Sequence, residues 1–218
     1  MSIQIFRAMD EYVRHIDEIE EHVVSTLVAS SFLSSHLFSK SIVLRFFQTD
    51  SETSRTAHMI MDKLWERRKR SHMNMRSVQY KEIYELAAIE EFCKRGIIHR
   101  QVPNFAATPK EIIAVLRTML SLLRNTPLYE IAFCREVLPF VFILKIGNSL
   151  TIDVRNNYGY QRIQGIFIDD KQIVAEFEKE FRRIWQENTT ISNRDEVISF
   201  IEDQISFIEN GSYLLSGL

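Results

Sequence analysis

The chain has 218 residues, 45% of them hydrophobic and 26% charged, with a formal net charge of -2. A chain of this length buries a core without help from disulfides or metals, and its near-neutral balance excludes a nucleic-acid coat or an acidic solvating tail. Cys93 and Cys134 each sit in an apolar stretch outside any C-x-x-C or Cys/His cluster, which reads as buried thiols in a reducing compartment.

The opening MSIQIFRAMDEYVRHIDE places charges where a secretory signal needs an apolar core, and the least polar stretch, Val23 to Phe38, is too short and serine-rich to span a bilayer. A cytoplasmic protein with no membrane partner is expected. Phe6, Met9, Val13, Ile16, Val23 and Leu27 recur at helical steps, with Asp10, Glu11, Asp17, Glu18, Glu20 and Glu21 mostly between them. That pattern predicts an amphipathic helix whose apolar face suits core packing, self-association or a protein partner. Six serines between Ser30 and Ser41 interrupt it, because short hydroxyl side chains compete for backbone hydrogen bonds; a turn or packed joint between helices is expected. A second helix follows Asp50 or Ser51, carries Ala57, Ile60, Leu64 and Trp65, and ends in the basic run Glu66 to His72, which suits the helix dipole.

After Arg76 the text changes. SVQYKEIYE reads as a short strand, and LAAIEEFCKRG as a helix stopped by Gly96, where a left-handed conformation costs little. Thr108-Pro109-Lys110-Glu111 is a capping box with proline at the first helical position, and it predicts a helix to about Arg124 that buries Ile112, Ile113, Leu116, Met119, Leu120 and Leu123. Four β-prone runs follow: Tyr129 to Phe133, Pro139 to Lys145, Ser149 to Asn156 and Arg162 to Asp169. The separators Gly147-Asn148 and Asn157-Tyr158-Gly159-Tyr160 supply hairpin turns, so an antiparallel meander is expected. Asp169 or Asp170 then caps a helix carrying Ile173, Val174, Phe177, Phe181, Ile184 and Trp185, and a last helix runs from near Ser192 or Asn193 to Asn210-Gly211.

The expected fold is therefore α+β: a helical region over 1–75, then an α/β region over 76–218 whose small, mainly antiparallel sheet is flanked by helices. Within Leu138 to Trp185, the segment with Gly165, Ile166, Ile168 and Asp169, followed by Ile173, Val174, Phe177, Phe181 and Trp185, resembles the carboxy-terminal ligand-sensing region of prokaryotic helix-turn-helix transcription regulators. That region is related in fold to phospholipase D without its chemistry, so the resemblance implies a sensor. It departs from the family upstream, where residues 1–75 lack a convincing helix-turn-helix. The phospholipase motif H-x-K-x-x-x-x-D is also absent, His36 and Lys40 having the wrong spacing.

No metal or cofactor is expected. His15 and His22 share a helix face but lack further ligands, and neither G-x-x-x-x-G-K-[ST] nor G-x-G-x-x-G occurs. The most site-like group is the hairpin with Asp153, Arg155, Asn156, Asn157, Tyr158, Tyr160 and Arg162, where arginine forks beside tyrosines suit a small anionic ligand or peptide; a polar outer sheet face explains the same residues. Arg67, Arg68, Lys69, Arg70 and Arg76, with Lys94, Arg95 and Arg100, suit nucleic-acid phosphates or simply a solvated helix end. Three functions follow: a non-enzymatic regulatory or ligand-sensing protein, possible in transcription control; a nucleic-acid-binding regulator using the basic run; and an enzyme drawing an acid/base pair from Asp153, Glu130 or Asp169. The first is favoured.

Overall fold

A computed structural model describes residues 2–7, 9–20, 25–48, 54–98, 105–138, 142–153 and 165–211. The strands are β1 (Ser2–Phe6), β2 (Ser25–Ser30), β3 (Gln79–Glu85), β4 (Tyr129–Cys134), β5 (Phe142–Ile146), β6 (Ser149–Asp153), β7 (Gly165–Asp169) and β8 (Thr189–Ile191). The helices are α1 (Met9–Glu20), α2 (Lys40–Gln48), α3 (Ser54–Asn74), α4 (Leu86–Arg95), α5 (Pro109–Asn125), α6 (Lys171–Arg183) and α7 (Arg194–Glu209). A 3₁₀ turn, Ser35–Leu37, precedes α2, and a π-helical turn, Ile184–Asn188, extends α6.

All eight strands form one mixed sheet in the order β1-β7-β6-β5-β2-β3-β4-β8. Pairing is antiparallel except at β2–β3 and β3–β4, so the α+β class holds, with a larger sheet than expected. Residues 1–75 contribute two strands besides their helices. Helical periodicity extended through Leu27, yet α1 ends at Glu20 and Leu27 lies in β2, where every residue after Ser25 is buried. A short apolar run buried on both faces cannot be told from a helix by spacing alone.

The expected four-strand meander is a three-strand one, β5-β6-β7, turned at Gly147. β4 leaves it to pair in parallel with β3, because Tyr129, Ile131, Ala132, Phe133 and Cys134 are buried on both faces and need cover on both sides. The local helix signals fall where expected. Thr108 and Glu111 form the capping box of α5, Asp170 accepts from the amides of Gln172 and Ile173 at the start of α6, and Gly96 closes α4 in the left-handed region.

The main core lies between one sheet face and the helical layer, joining Tyr12 and Ile16 of α1, Ile89 and Phe92 of α4, Ile112 to Leu123 of α5 and Val197 to Ile208 of α7 to Val28, Tyr84 and Phe133 of the sheet. On the opposite face Phe181, Ile184 and Trp185 pack over Leu27, Ala29 and Ile83, while Val174 packs over Leu150 and Ile168.

Gly165 has a packing reason: a Cβ there would lie 2.4 Å from the ring of buried Tyr12, inside van der Waals contact. Gly165→Ala is expected to lower the unfolding free energy by about 1–3 kcal/mol, the usual cost of overpacking. Chemical denaturation checks this, and a Tyr12→Leu background should shrink the loss; an equal loss in both backgrounds would assign it to something other than the ring.

Candidate functional site

Among the described residues, chemistry-bearing side chains collect at a sealed place and at an open one. The sealed place is centred on Glu82 of β3. Alternation puts Tyr80, Glu82 and Tyr84 on the helix-covered face, and Glu82 is 0% exposed. Its carboxylate accepts from Ser34 Oγ at 2.5 Å, from His36 Nε2 at 3.1 Å and from the Tyr129 hydroxyl. Burial alone would push Glu82 up; the His36 ring, then the His36, Ser34 and Tyr129 hydrogen bonds, outweigh it and hold the carboxyl below its ordinary range. The Tyr84 hydroxyl takes the Ser34 amide at 3.2 Å, and His72 Nε2 donates to the His36 carbonyl at 3.2 Å. Burial, then His36 and Arg68, lower His72 to about 4. His36 Nδ1 is buried with no hydrogen-bond partner.

The basic run lies beside this centre, and two of its five cations, Arg67 and Arg70, are engaged by α1. Arg67 Nε donates to Glu20 Oε1 at 2.7 Å, with the two side chains 18% and 8% exposed, and Arg70 bonds Asp17. Burial pushes Glu20 up against the pull of Arg67. Arg68 lies 4.8 Å over the Trp65 ring, Lys69 pairs with Glu66 in solvent at 2.8 Å, and Arg76 is exposed in the turn after α3. Of the hairpin residues, Asp153 ends β6; Arg155, Asn156, Asn157, Tyr158, Tyr160 and Arg162 lie outside the described residues, as do Arg100 and His22.

The proposed acid/base carboxylates are not brought together. Glu130 is on β4 and Asp169 on β7, with β3, β2, β5 and β6 between, which at the usual strand spacing is roughly 24 Å. Asp153 pairs with Gly165 at the far end of β7 from Asp169. Cys134 ends β4, where burial, then Glu85 and Glu136, push its thiol up to about 11; burial pushes Cys93 up to about 12. Both are poor nucleophiles. Among the described residues no group of three His, Cys, Asp or Glu side chains is placed to hold a metal ion, and no helix is long and apolar enough to cross a membrane.

The open place is a cleft of about 270 Å³ on the other sheet face, at the starts of β2 and β3. Ser25 and Leu27, Gln79 and Lys81, Glu178, Phe181 and Arg182 of α6, and Trp185 and Gln186 of the π turn line it. Lys81 Nζ lies 4.7 Å over the Trp185 ring and 3.1 Å from Glu130, while Phe181 stacks on Trp185 at 5.8 Å. Glu178 is held below its ordinary range by the Lys145 hydrogen bond, against burial, and by Arg182; the two contacts are 3.0 and 2.7 Å. Sequence spacing does not reveal the cleft because its residues come from three segments distant in the chain. The π turn sets Trp185 and Gln186 at the mouth.

No family model matches the chain, and no curated protein matches it. A solved structure of TrmBL2, described as an archaeal chromatin protein with a novel mode of DNA binding, is similar over 88% of this chain and 54% of its own, at 10% identity and a TM-score of 0.48. The chain thus spans about half the length of that neighbour.

The polar ties give two expected outcomes. Arg67→Ala strands a buried Glu20 carboxylate and should cost about 3–5 kcal/mol, whereas Lys69→Ala should stay within about 0.5 kcal/mol; equal effects by urea denaturation would remove the buried pair from the account. His72 is lowered in the fold, so below its ordinary value near 6.5 the unfolded chain binds the proton first. Stability should then fall as pH drops from 6.5 toward about 4. Depressed Glu82 adds loss below 4.5, as its favourable charge is protonated away. His72→Gln should flatten the upper part of that profile in pH-dependent melts.

Proposed function

We propose that the chain is a non-enzymatic regulatory protein that binds a compact anionic ligand in the cleft beside Trp185. The observation that carries this reading is the π-helical turn Ile184–Asn188. Such turns are rare and recur at functional sites, because the widened backbone re-aims side chains that a regular helix would bury. Here it gives the cleft Trp185 and Gln186, opposite Lys81 and Gln79.

The donors Lys81, Arg182, Gln79, Gln186 and Ser25 outnumber the one lining carboxylate, Glu178, which favours an anion. Leu27, Phe181 and Trp185 supply apolar walls. At about 270 Å³ the space is below the usual range for drug-sized ligands, so a small carboxylate or phosphate ester fits better than a dinucleotide or a peptide. The resemblance of Leu138 to Trp185 to ligand-sensing regions of transcription regulators supports the same reading, since α6 and its extension carry both. An anion drawn to Lys81 competes with Glu130 and with the Trp185 face, and it adds a bridge from β3 to α6. Regulation then follows if the bridged arrangement binds the ligand better than an unbridged one.

The two tryptophans make this measurable, because Trp65→Phe leaves Trp185 as the sole reporter. Titration with small mono- and dicarboxylates, phosphate and sugar phosphates is expected to give a saturable change in Trp185 emission for at least one class. Lys81→Met should weaken it at least tenfold, about 1.4 kcal/mol. A folded protein that responds to none of these classes, or a response indifferent to Lys81→Met, would sink the proposal.

A further inference from the structure

We propose that β1 is a dimerisation edge, at which two copies of the chain pair their β1 strands antiparallel about a two-fold axis through Gln4. The surface is distinct from the cleft and does not rest on its ligand.

β1 is the outermost strand, and β7 is its only neighbour among the described residues. An edge strand offers a row of backbone donors and acceptors, and proteins that stay monomeric blunt such edges with lysine, proline, inward charges or a bulge. The strand SIQIF has none of these: its register with β7 runs unbroken from Ser2 opposite Asp169 to Phe6 opposite Gly165. Instead it displays Ile3 and Ile5, 49% and 55% exposed.

Those isoleucines continue an apolar row. Ile3 is opposite Ile168 and Ile5 opposite Ile166, which are in turn opposite Leu150 and Ile152. α6 packs over the inner part of that row through Val174, with Ile173 and Phe177 alongside, and leaves its β1 end open.

The occupant is identified by self-complementarity. With Gln4 opposite Gln4 of the second copy, Ile3 of each strand meets Ile5 of the other on one face, and Ser2 meets Phe6 on the other face. A two-fold contact repeats each favourable pairing and closes after two copies, so it does not propagate into a fibre. The junction is only five residues long, about 17 Å of strand. A contact this short is expected to give a concentration-dependent dimer.

Sedimentation velocity of the full chain from low to high micromolar concentration is expected to show mass rising from monomer toward dimer. Ile5→Lys, an exposed change that leaves the fold intact by circular dichroism, should abolish that rise. Gln4→Cys should form a covalent dimer on mild oxidation, because position 4 faces itself across the axis, and Ser2→Cys should not. A chain that stays monomeric throughout, a dimer unaffected by Ile5→Lys, or equal cross-linking at positions 2 and 4 would each overturn the proposal. Capture of a different protein's strand at this edge would appear as a monomer in the purified chain, and so falls among those overturning results.

Discussion

A carboxylate with no solvent exposure in the middle of a sheet is tolerable only if donors surround it, since the cost of dehydrating an ion inside a protein is several kcal/mol. Glu82 is that group. Its donors come from outside its own strand: Ser34 and His36 from the segment between β2 and α2, and Tyr129 from the first residue of β4. Satisfying one charge therefore pins the β2–α2 segment down on the sheet and fixes how β4 lies beside β3. The tie continues outward, because the His36 carbonyl is held by His72 near the end of α3. Apolar burial supplies most of the stability, but a network of this kind allows few alternative arrangements of the helical layer.

Among the described residues the layer on that face is thick, and the other face is covered by one long helix, α6. Eight strands at the usual spacing are about 34 Å across, whereas a helix with its side chains is about 10–12 Å wide. α6 packs against β2, β6 and β7, and it leaves sheet uncovered on both flanks. On one flank lies the cleft of Lys81 and Trp185, and on the other the open row at Ile3 and Ile5. Both places follow from the same mismatch between a wide sheet and a single cover. Lys145 of β5 ties α6 to the sheet through Glu178, and Arg182, one turn along α6, shares that carboxylate at the cleft wall.

Local signals were legible in the sequence and non-local ones were not. The capping box at Thr108, the stop at Gly96, the cap at Asp170 and the turn at Gly147 each depend on a few neighbouring residues, and each fell where its chemistry put it. β2 was missed because Thr26 to Ser30 is buried on both faces, and the parallel pairing of β2, β3 and β4 is decided by partners distant in the chain. The Glu82 centre joins residues 46 to 48 positions apart, so no motif spacing exists to find. Its one available trace is the alternation Tyr80, Glu82, Tyr84, an acid in the row that also carries two tyrosines. The basic run had a trace as well. Asp17 and Glu20 are three apart on α1, Arg67 and Arg70 are three apart on α3, and the pairs Glu20–Arg67 and Asp17–Arg70 run in opposite directions, as two antiparallel helices require. The proposed hairpin site around Asp153 to Arg162 falls almost wholly outside the described residues.

The chemistry-bearing groups among the described residues are divided between a sealed centre and an open cleft. General acid–base work needs a group whose proton affinity suits the operating pH and which can reach a substrate. Glu82, with a histidine, a serine and a tyrosine around it, has the right residue types, yet it is fully buried and its donors are spent on holding one charge. Cys134 ends one of the parallel strands beside Glu85, a place where α/β folds often put a nucleophile, but burial and neighbouring acids keep its thiol protonated. In the cleft at Lys81, Arg182 and Trp185, donors and an aromatic face predominate, and the lining carboxylate, Glu178, is paired with Lys145 and Arg182. The binding proposed for the cleft rests on that balance of charge and on the Trp185 face.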